Sequence, residues 1–403
     1  MELLKARLWR RLLPAGLGAL VAATLLAACG GEDPTGSGDL AASGGADQPP
    51  AGAEAEFSTD FSTHSVPLDE FLSGGPPKDG IPAIDDPKLV SISEADEFLS
   101  ATEPVAVLEV DGEARAYPIQ ILVWHEIVND SLAGEPVAVT YCPLCNSTVA
   151  FSREVDGRVL DFGTTGRLRK SDLVMYDRQT ESWWQQLTAE AVVGELTGAG
   201  LEVLPSQILP WEEVKRTYRD AEVLSRDTGF DRDYGANPYT GYDDPDSEPF
   251  ALQEDADDRL PPKELVTAVK LEDGKAVVYP RSVLVEEAPV NDRIDGRPVV
   301  VMFEPEVASA LDAGAISEGR EVGAGAVFER TLDGETLTFE SGPDPGTARD
   351  RATGSTWDAT GRAIEGRLKG ERLAQIPSDN QFWFAVAAFF KGAEIRGEGE
   401  ASP

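Results

Sequence analysis

Short apolar runs separated by turn residues are the main pattern of this chain from residue 105 onwards. The run Val105–Val110 precedes Asp111-Gly112, a dipeptide typical of tight hairpin turns, so residues 114–117 are expected to form the returning strand. Residues 118–128 are apolar on one face, which predicts a short helix. Residues 137–141 predict a buried strand. Short strands with a few short helices predict a β-rich α+β protein.

The sequence predicts further short strands and one more short helix after residue 147. Thr148–Phe151 and Val159–Phe162 lie on either side of Asp156-Gly157 and predict a second hairpin. Leu173–Asp177 predicts another strand, and Trp211–Tyr218 predicts a short helix.

This order of elements occurs twice along the chain. Residues 105–143 align with residues 267–305 without a gap, and Val128-Asn129-Asp130 matches Val290-Asn291-Asp292. Matching turn residues imply the same turns in both stretches. The sequence therefore predicts an internal tandem duplication with two similar lobes, a first repeat lobe at residues 65–225 and a degenerate second one at residues 265–397. A Tyr- and Asp-rich loop, residues 226–264, is expected to connect them.

The two copies differ in their reactive side chains. Glu287, Glu304 and Val307 stand in the second copy where the first has His125, Cys142 and Cys145. We therefore expect the chemistry to lie in the first lobe.

The N-terminus has the pattern of an export signal. Residues 1–28 combine a basic start with an apolar stretch that ends in Leu26-Ala27-Ala28-Cys29, which matches a bacterial lipobox. We expect residues 1–28 to be a lipoprotein signal peptide, Cys29 to be lipidated, and residues 29–64 to form a flexible tether. The predicted location is the cell envelope, with the lipid anchor in the outer membrane or on the outer face of the plasma membrane.

The chain is strongly acidic, with a formal net charge of −37, which argues against nucleic acid as a partner. One stretch departs from this trend, because Arg167, Arg169 and Lys170 are clustered there. These three residues are candidates for binding an anionic group. The alternative is that they form ordinary ion pairs with neighbouring carboxylates.

Two of the three cysteines, Cys142 and Cys145, form a Cys-x-x-Cys pair directly after a predicted strand. Together with His125, they predict a three-ligand site for a soft metal ion, copper or zinc, which would serve metal delivery or redox work. Two alternatives stay open. The cysteines could cycle between dithiol and disulfide in redox chemistry, or they could form a short structural disulfide while His125 is a hydrogen-bonded core residue.

Two further hypotheses use the same region of the chain. A hydrolase would take Ser147 or Cys142 as the nucleophile, His125 as the base and Asp130 as the orienting group. A non-enzymatic binding module would use the basic cluster for an anionic ligand and keep the cysteines as a structural disulfide.

Four segments resemble one known family. They are the Tyr-Pro and Trp124–Asp130 block, Thr140–Ser147, Asp177–Trp183 and the Pro-Tyr-x-x-Tyr segment that begins at Pro238. In these motifs the chain resembles the family named domain of unknown function 3179 (DUF3179) over residues 65–397. The resemblance implies an exported bacterial or archaeal protein, and it implies no established activity. One departure is Glu181, where the family pattern has glycine.

Overall fold

The structure, a computed structural model, describes residues 45–397. The predicted signal segment and Cys29 lie outside these residues. The described chain is rich in strands and has few helices, so the predicted β-rich class is confirmed. None of the described helices combines the length and the apolar character needed to cross a membrane.

The helices of residues 45–397 are all short: α1 (Ala53–Glu56), α2 (Ile92–Ala95), α3 (Ile119–His125), α4 (Trp211–Thr217), α5 (Arg281–Glu287) and α6 (Trp383–Phe389). Two 3-10 turns are formed by Leu68–Glu70 and Ile316–Glu318. The strands before residue 225 are β1 (Phe71–Ser73), β2 (Leu89–Ser91), β3 (Pro104–Val110), β4 (Glu113–Pro118), β5 (Ile127–Leu132), β6 (Glu135–Cys142), β7 (Ser147–Ser152), β8 (Glu154–Val155), β9 (Arg158–Val159), β10 (Phe162–Arg169), β11 (Asp172–Asp177), β12 (Trp183–Gln185), β13 (Glu190–Val193), β14 (Val203–Leu204), β15 (Ser206–Pro210) and β16 (Glu222–Leu224). The later strands are β17 (Leu265–Lys270), β18 (Ala276–Pro280), β19 (Val290–Ile294), β20 (Arg297–Glu304), β21 (Ala324–Glu329), β22 (Thr331–Leu332), β23 (Glu335–Thr336), β24 (Phe339–Ser341), β25 (Ala348–Asp350), β26 (Thr356–Trp357), β27 (Ala363–Glu365), β28 (Gln375–Ile376), β29 (Asp379–Phe382) and β30 (Glu394–Ile395).

Three main sheets form the first half of the described chain. Their strand orders are β15-β3-β4-β16-β2, β14-β7-β6-β5 and β1-β10-β11-β12-β13. The predicted hairpin at Asp111-Gly112 is confirmed as β3 and β4, and both turn residues have positive φ, as a type I′ turn requires. The predicted second hairpin is only partly correct. Strands β8 and β9 pair across Asp156-Gly157, but β7 pairs with β6 and β14.

Three main sheets also form the second half, with the strand orders β29-β17-β18-β30, β19-β20-β21-β28 and β24-β25-β26-β27. The hairpin β17–β18 is followed by helix α5, as β3–β4 is followed by α3. Strands β19, β20 and β21 then pair in sequence, as β5, β6 and β7 do.

The predicted tether extends too far towards the C-terminus, because residues after Ala53 are part of the folded protein. The rings of Phe57 and Phe61 are buried and make edge contacts with Trp183, with ring centroids 5.2 Å and 5.1 Å away. Glu181 also fixes this segment, since its carboxylate accepts a hydrogen bond from the Ser58 amide. Two large apolar side chains in a polar stretch are sufficient to anchor it, because each buries most of its surface.

The two halves meet around the cysteine loop. The amide of Phe382, at the end of β29, donates a hydrogen bond of 2.9 Å to the carbonyl of Cys145. Phe382 belongs to the same apolar cluster as both cysteines, and Tyr239 and Tyr242 pack against that cluster. These tyrosines lie in residues 226–264, a stretch without a helix or strand in the structure. The cysteines are therefore covered by residues of the second half of the chain and of the connecting segment.

Candidate metal centre

The two cysteines lie in the turn that joins β6 to β7. Cys142 is the last residue of β6 and is paired with Ser147, the first residue of β7, so the turn brings the Cys145 side chain back towards Cys142. Asn146 closes the turn with a positive φ of 50°, a conformation that asparagine adopts more readily than most residues. Both cysteines are buried free thiols, and the alternative of a disulfide is not realised in this structure.

A carboxylate completes a group of three metal-ligating side chains. Asp172 is the first residue of β11 and follows Lys170 and Ser171, which both have positive φ. The ligand atoms of Cys142, Cys145 and Asp172 all lie within 4.8 Å of one another. Thiolate and carboxylate groups at such distances are able to bind one ion together.

Asp172 has one oxygen that is held by the protein and one that is not. Its Oδ2 accepts hydrogen bonds from the Gln185 side chain at 2.6 Å and from the Leu187 amide at 3.0 Å. Its Oδ1 is buried and has no hydrogen-bond partner among the described residues. A buried carboxylate oxygen without a partner is costly, so this atom is available to a ligand.

The environment of the thiols keeps them protonated. Burial raises the pKa of Cys142, and Asp172 and Glu126 raise it further by charge repulsion. Burial also raises the pKa of Cys145 well above its ordinary value. The Sγ atoms of Cys142 and Cys145 lie 3.9 Å and 3.5 Å from the Ser171 carbonyl oxygen, to which the protonated thiols can donate. Reactive redox cysteines have lowered pKa values, so this environment does not favour thiol redox chemistry.

Glu126 is a second buried carboxyl group beside the site. It directly follows α3, has a positive φ of 59°, and is only 8% exposed. Burial raises the pKa of Glu126 to about 8, with a further contribution from the charge of Asp172. Backbone strain of this kind in a non-glycine residue is concentrated at functional sites. Glu126 stands in the Trp-His-Glu block of the sequence, but the sequence alone did not indicate that its carboxyl group lies beside the cysteines.

Comparison with known proteins identifies the family. The sequence profile of a family described as "Protein of unknown function (DUF3179)" matches residues 78–393. The chain belongs to the DUF3179 family. The resemblance drawn from the cysteine loop and the Trp-His-Glu block is therefore confirmed. No curated protein and no solved structure matches this DUF3179 chain.

His125 is not part of the thiol and carboxylate group in this DUF3179 protein, although the sequence predicted it as the third ligand. Its Nδ1 lies 2.7 Å from the Pro82 carbonyl oxygen and its Nε2 lies 2.6 Å from the Tyr234 hydroxyl. Burial lowers the pKa of His125, which keeps the ring neutral. The ring is fully buried and both nitrogens are engaged, and Asp172 rather than His125 lies with the two thiols.

The basic cluster of the DUF3179 chain does not converge on one point. Arg167 pairs with Glu56 at 3.1 Å, and Arg169 pairs with Glu70 at 2.7 Å. Lys170 donates to the Ala388 carbonyl at 3.0 Å and lies 3.3 Å from Glu254. Each cation thus has a carboxylate partner, as in the ion-pair alternative, but the partners come from distant segments, and Glu254 is shared with Lys391.

The hydrolase residues are also held apart by other partners. The Ser147 hydroxyl donates to Gln186 at 2.9 Å. Asp130 accepts hydrogen bonds of 2.8 Å from Arg115 and Tyr117. Because His125 is engaged elsewhere, the structure does not assemble a nucleophile, a base and an orienting group from these residues.

Glu126 leads to a testable pH dependence. A solvated glutamate side chain has a pKa of 4.5, whereas the pKa of the Glu126 carboxyl group is about 8 in the folded protein. Folding therefore favours the protonated form, and this contribution is lost as the pH rises from about 4.5 through about 8. We expect metal-free protein to lose a few kcal/mol of stability over this range, since one pKa unit corresponds to about 1.4 kcal/mol. Glu126→Gln is expected to remove much of the loss. Thermal unfolding of chelator-treated protein across a pH series measures it, and identical slopes for the two proteins would contradict the assignment.

Proposed function

We propose that this DUF3179 protein binds a transition-metal ion through Cys142, Cys145 and Asp172. The observation that carries this proposal is the distance, at most 4.8 Å, among the three ligand atoms. Glu126 is buried nearby but is not among the side chains whose ligand atoms lie within this distance, so a fourth ligand would come from solvent. Zinc in structural sites takes four ligands in a tetrahedral arrangement, mainly sulfur, nitrogen and carboxylate oxygen.

The burial of the site supports a cation. Two thiols and two carboxyl groups are buried together, and burial raises the pKa of each of them. In the absence of a cation, such a group avoids charge by remaining protonated. A bound metal ion would replace the thiol protons and compensate the buried negative charge, so binding is expected to release protons.

The donor set favours zinc over copper(I). Copper(I) prefers soft sulfur ligands, whereas zinc accepts thiolates and carboxylates in the same site. With Asp172 in the place expected for His125, the third donor is a hard oxygen atom. The proposed role is therefore to hold zinc, for storage or delivery, with copper(I) as the competing ion.

The proposed location is the cell envelope. The sequence supports export and a lipid anchor through the lipobox and Cys29. A zinc-binding lipoprotein at this place would act outside the cytoplasm, where the metal ion would be received from or given to exported partners.

The test of the proposed function is metal content together with thiol state. The mature lipoprotein is purified in detergent without chelator, loaded with one of the two ions and dialysed. We expect about one equivalent of zinc per chain, and two thiols that react only after unfolding or chelation. Absence of bound zinc together with two oxidised cysteines would contradict the proposal and would favour a thiol-disulfide protein.

We also propose that the two halves of the chain arose by tandem duplication. Matching hydrogen bonds support this, because Asp177 accepts bonds from the Thr180 amide and the Trp184 indole, at 2.6 Å and 3.0 Å. Asp350 accepts the corresponding bonds from Thr353 and Trp357, at 2.6 Å and 3.1 Å. The aligned sequences and the matching order of strands support the same origin.

A further inference from the structure

The first lobe covers one edge of its own sheet with residues 79–85, which we call the strap. The strap begins in a turn, and Ile84 makes its contact with the edge strand. The Ile84 amide donates to the Ile127 carbonyl at 2.9 Å, and the Ile84 carbonyl accepts from the Asn129 amide at 2.8 Å. These bonds make a parallel bridge along β5, which is the last strand of its sheet. The strap is fixed further by Thr164, whose hydroxyl donates to the Ile81 carbonyl at 2.8 Å.

The corresponding edge in the second half is open. Strand β19 aligns with β5 and is likewise the last strand of its sheet, and within residues 45–397 no segment pairs with its outer side. Residues 290–292 are only half-buried there, whereas residues 128–130 are buried. The chain that precedes the second half takes a different course, because Tyr239 and Tyr242 pack beside the cysteines.

Side-chain bonds of the same kind mark the two edges as equivalent positions. The Asn129 amide group donates to the Phe162 carbonyl and its oxygen accepts from the Phe162 amide, at 2.8 Å and 2.9 Å. The Asn291 side chain makes the same two hydrogen bonds with the Phe339 backbone, donating to its carbonyl and accepting from its amide, both at 2.8 Å. The surface beside β19 is thus the counterpart of the surface that the strap covers beside β5.

A groove with both apolar and charged walls lies next to the start of this edge. It has a volume of about 520 Å³ and begins beside Pro289, directly before β19. Its wall includes the apolar side chains of Leu284, Met302 and Phe303. The charged side chains of Arg281, Glu321 and Asp344 also line it. Val285 also lines the groove and is 54% exposed, which is unusual for a large apolar side chain in this protein. Unpaired strand edges with an adjacent groove are surfaces that bind peptide segments.

We propose that β19 and this groove bind a segment of a partner protein, which pairs with β19 in parallel as Ile84 of the strap pairs with β5. The strap indicates the chemistry of the partner segment, with apolar residues and a proline followed by an acidic residue, as in Ile81-Pro82-Ala83-Ile84-Asp85. In the first lobe, Asp85 pairs with Arg178. Arg351 occupies the matching place in the second half, where its only carboxylate contact among the described residues is an exposed pair with Glu340. The inference rests on the proposed duplication and is independent of metal binding.

The test uses a fluorescein-labelled synthetic peptide with the sequence of residues 79–87 and the full-length protein in detergent, with chelator present. Fluorescence anisotropy should show saturable binding, weakened about tenfold or more by Val285→Arg, because a charge would then lie in the groove. Val159→Arg is the matched control, since Val159 is 48% exposed on the other half. Its binding should equal that of the unchanged protein, and circular dichroism should show that both variants are folded.

Three outcomes would overturn the proposal. The first is no saturable binding at millimolar peptide. The second is binding that Val285→Arg leaves unchanged, because the peptide would then exchange with the strap on β5. The third is a dimer in sedimentation that Val285→Arg dissociates, because the groove would then be occupied by a second copy of the chain. Because chelator is present throughout, bound metal cannot contribute to any of the three results. Failure of this proposal therefore leaves the proposed metal binding untouched, and the reverse also holds.

Discussion

Cys142→Ser and Asp172→Asn are each expected to reduce bound zinc from about one equivalent per chain to below about a tenth after dialysis. Each substitution removes one of three donors whose ligand atoms lie within 4.8 Å of one another. A two-ligand site holds zinc far more weakly than a three-ligand one, because each protein ligand contributes to the affinity. Mass spectrometry of metal content after matched loading measures the effect.

His125→Asn provides the decisive comparison in the same experiment. Because its ring nitrogens already face the Pro82 carbonyl and the Tyr234 hydroxyl, its loss should leave about one equivalent of zinc in place. Glu304→Gln is the matched control in the second half, at the position aligned with Cys142. Zinc lost in His125→Asn but kept in Asp172→Asn would restore the ligand set expected from the sequence and reject the one proposed from the structure.

Phe57→Ala and Phe61→Ala are each expected to destabilise the protein by about 3 kcal/mol. Both rings are buried against Trp183, and the loss of a buried aromatic ring leaves a cavity as well as removing apolar burial. The same change at Phe230, which is 44% exposed, should cost less than about 1 kcal/mol. Denaturant unfolding of the metal-free variants measures these differences.

A truncation tests whether the whole segment of residues 53–64, and not only its two rings, stabilises the fold. A chain that begins at residue 65 lacks both rings and exposes Trp183, so its unfolding midpoint should fall below that of either single variant. If the truncated chain and the Phe57→Ala variant were as stable as the unchanged protein, residues 53–64 would be a tether, as the composition of the sequence predicted.

The sequence predicted the local features of the fold well. Hairpins at Asp-Gly pairs, the helix after Pro118 and the strand that ends at Cys142 depend on neighbouring residues, so short patterns are sufficient to reveal them. The hairpin expected after β7 was partly wrong for the opposite reason. Strand β7 finds its partners in β6 and in the distant β14, and such a pairing leaves no local signal.

The site could be predicted only in part for the same physical reason. The spacing of Cys142 and Cys145 in the chain brings them together by itself. Asp172 reaches them through the pairing of β10 with β11, and nothing near it in the sequence marks it as a ligand. His125 is close in the sequence, but the end of α3 directs it towards Tyr234, in a segment about a hundred residues later.

X-ray absorption spectroscopy at the zinc edge of the loaded protein tests the central claim most directly. The account predicts a first shell of two sulfur atoms at about 2.3 Å with oxygen at about 2.0 Å, from Cys142, Cys145 and Asp172. It also predicts that Asp172→Asn, which no longer retains zinc, loses this zinc-edge signal, while His125→Asn leaves the spectrum unchanged. A first shell with imidazole nitrogen, or one without sulfur, would contradict the account.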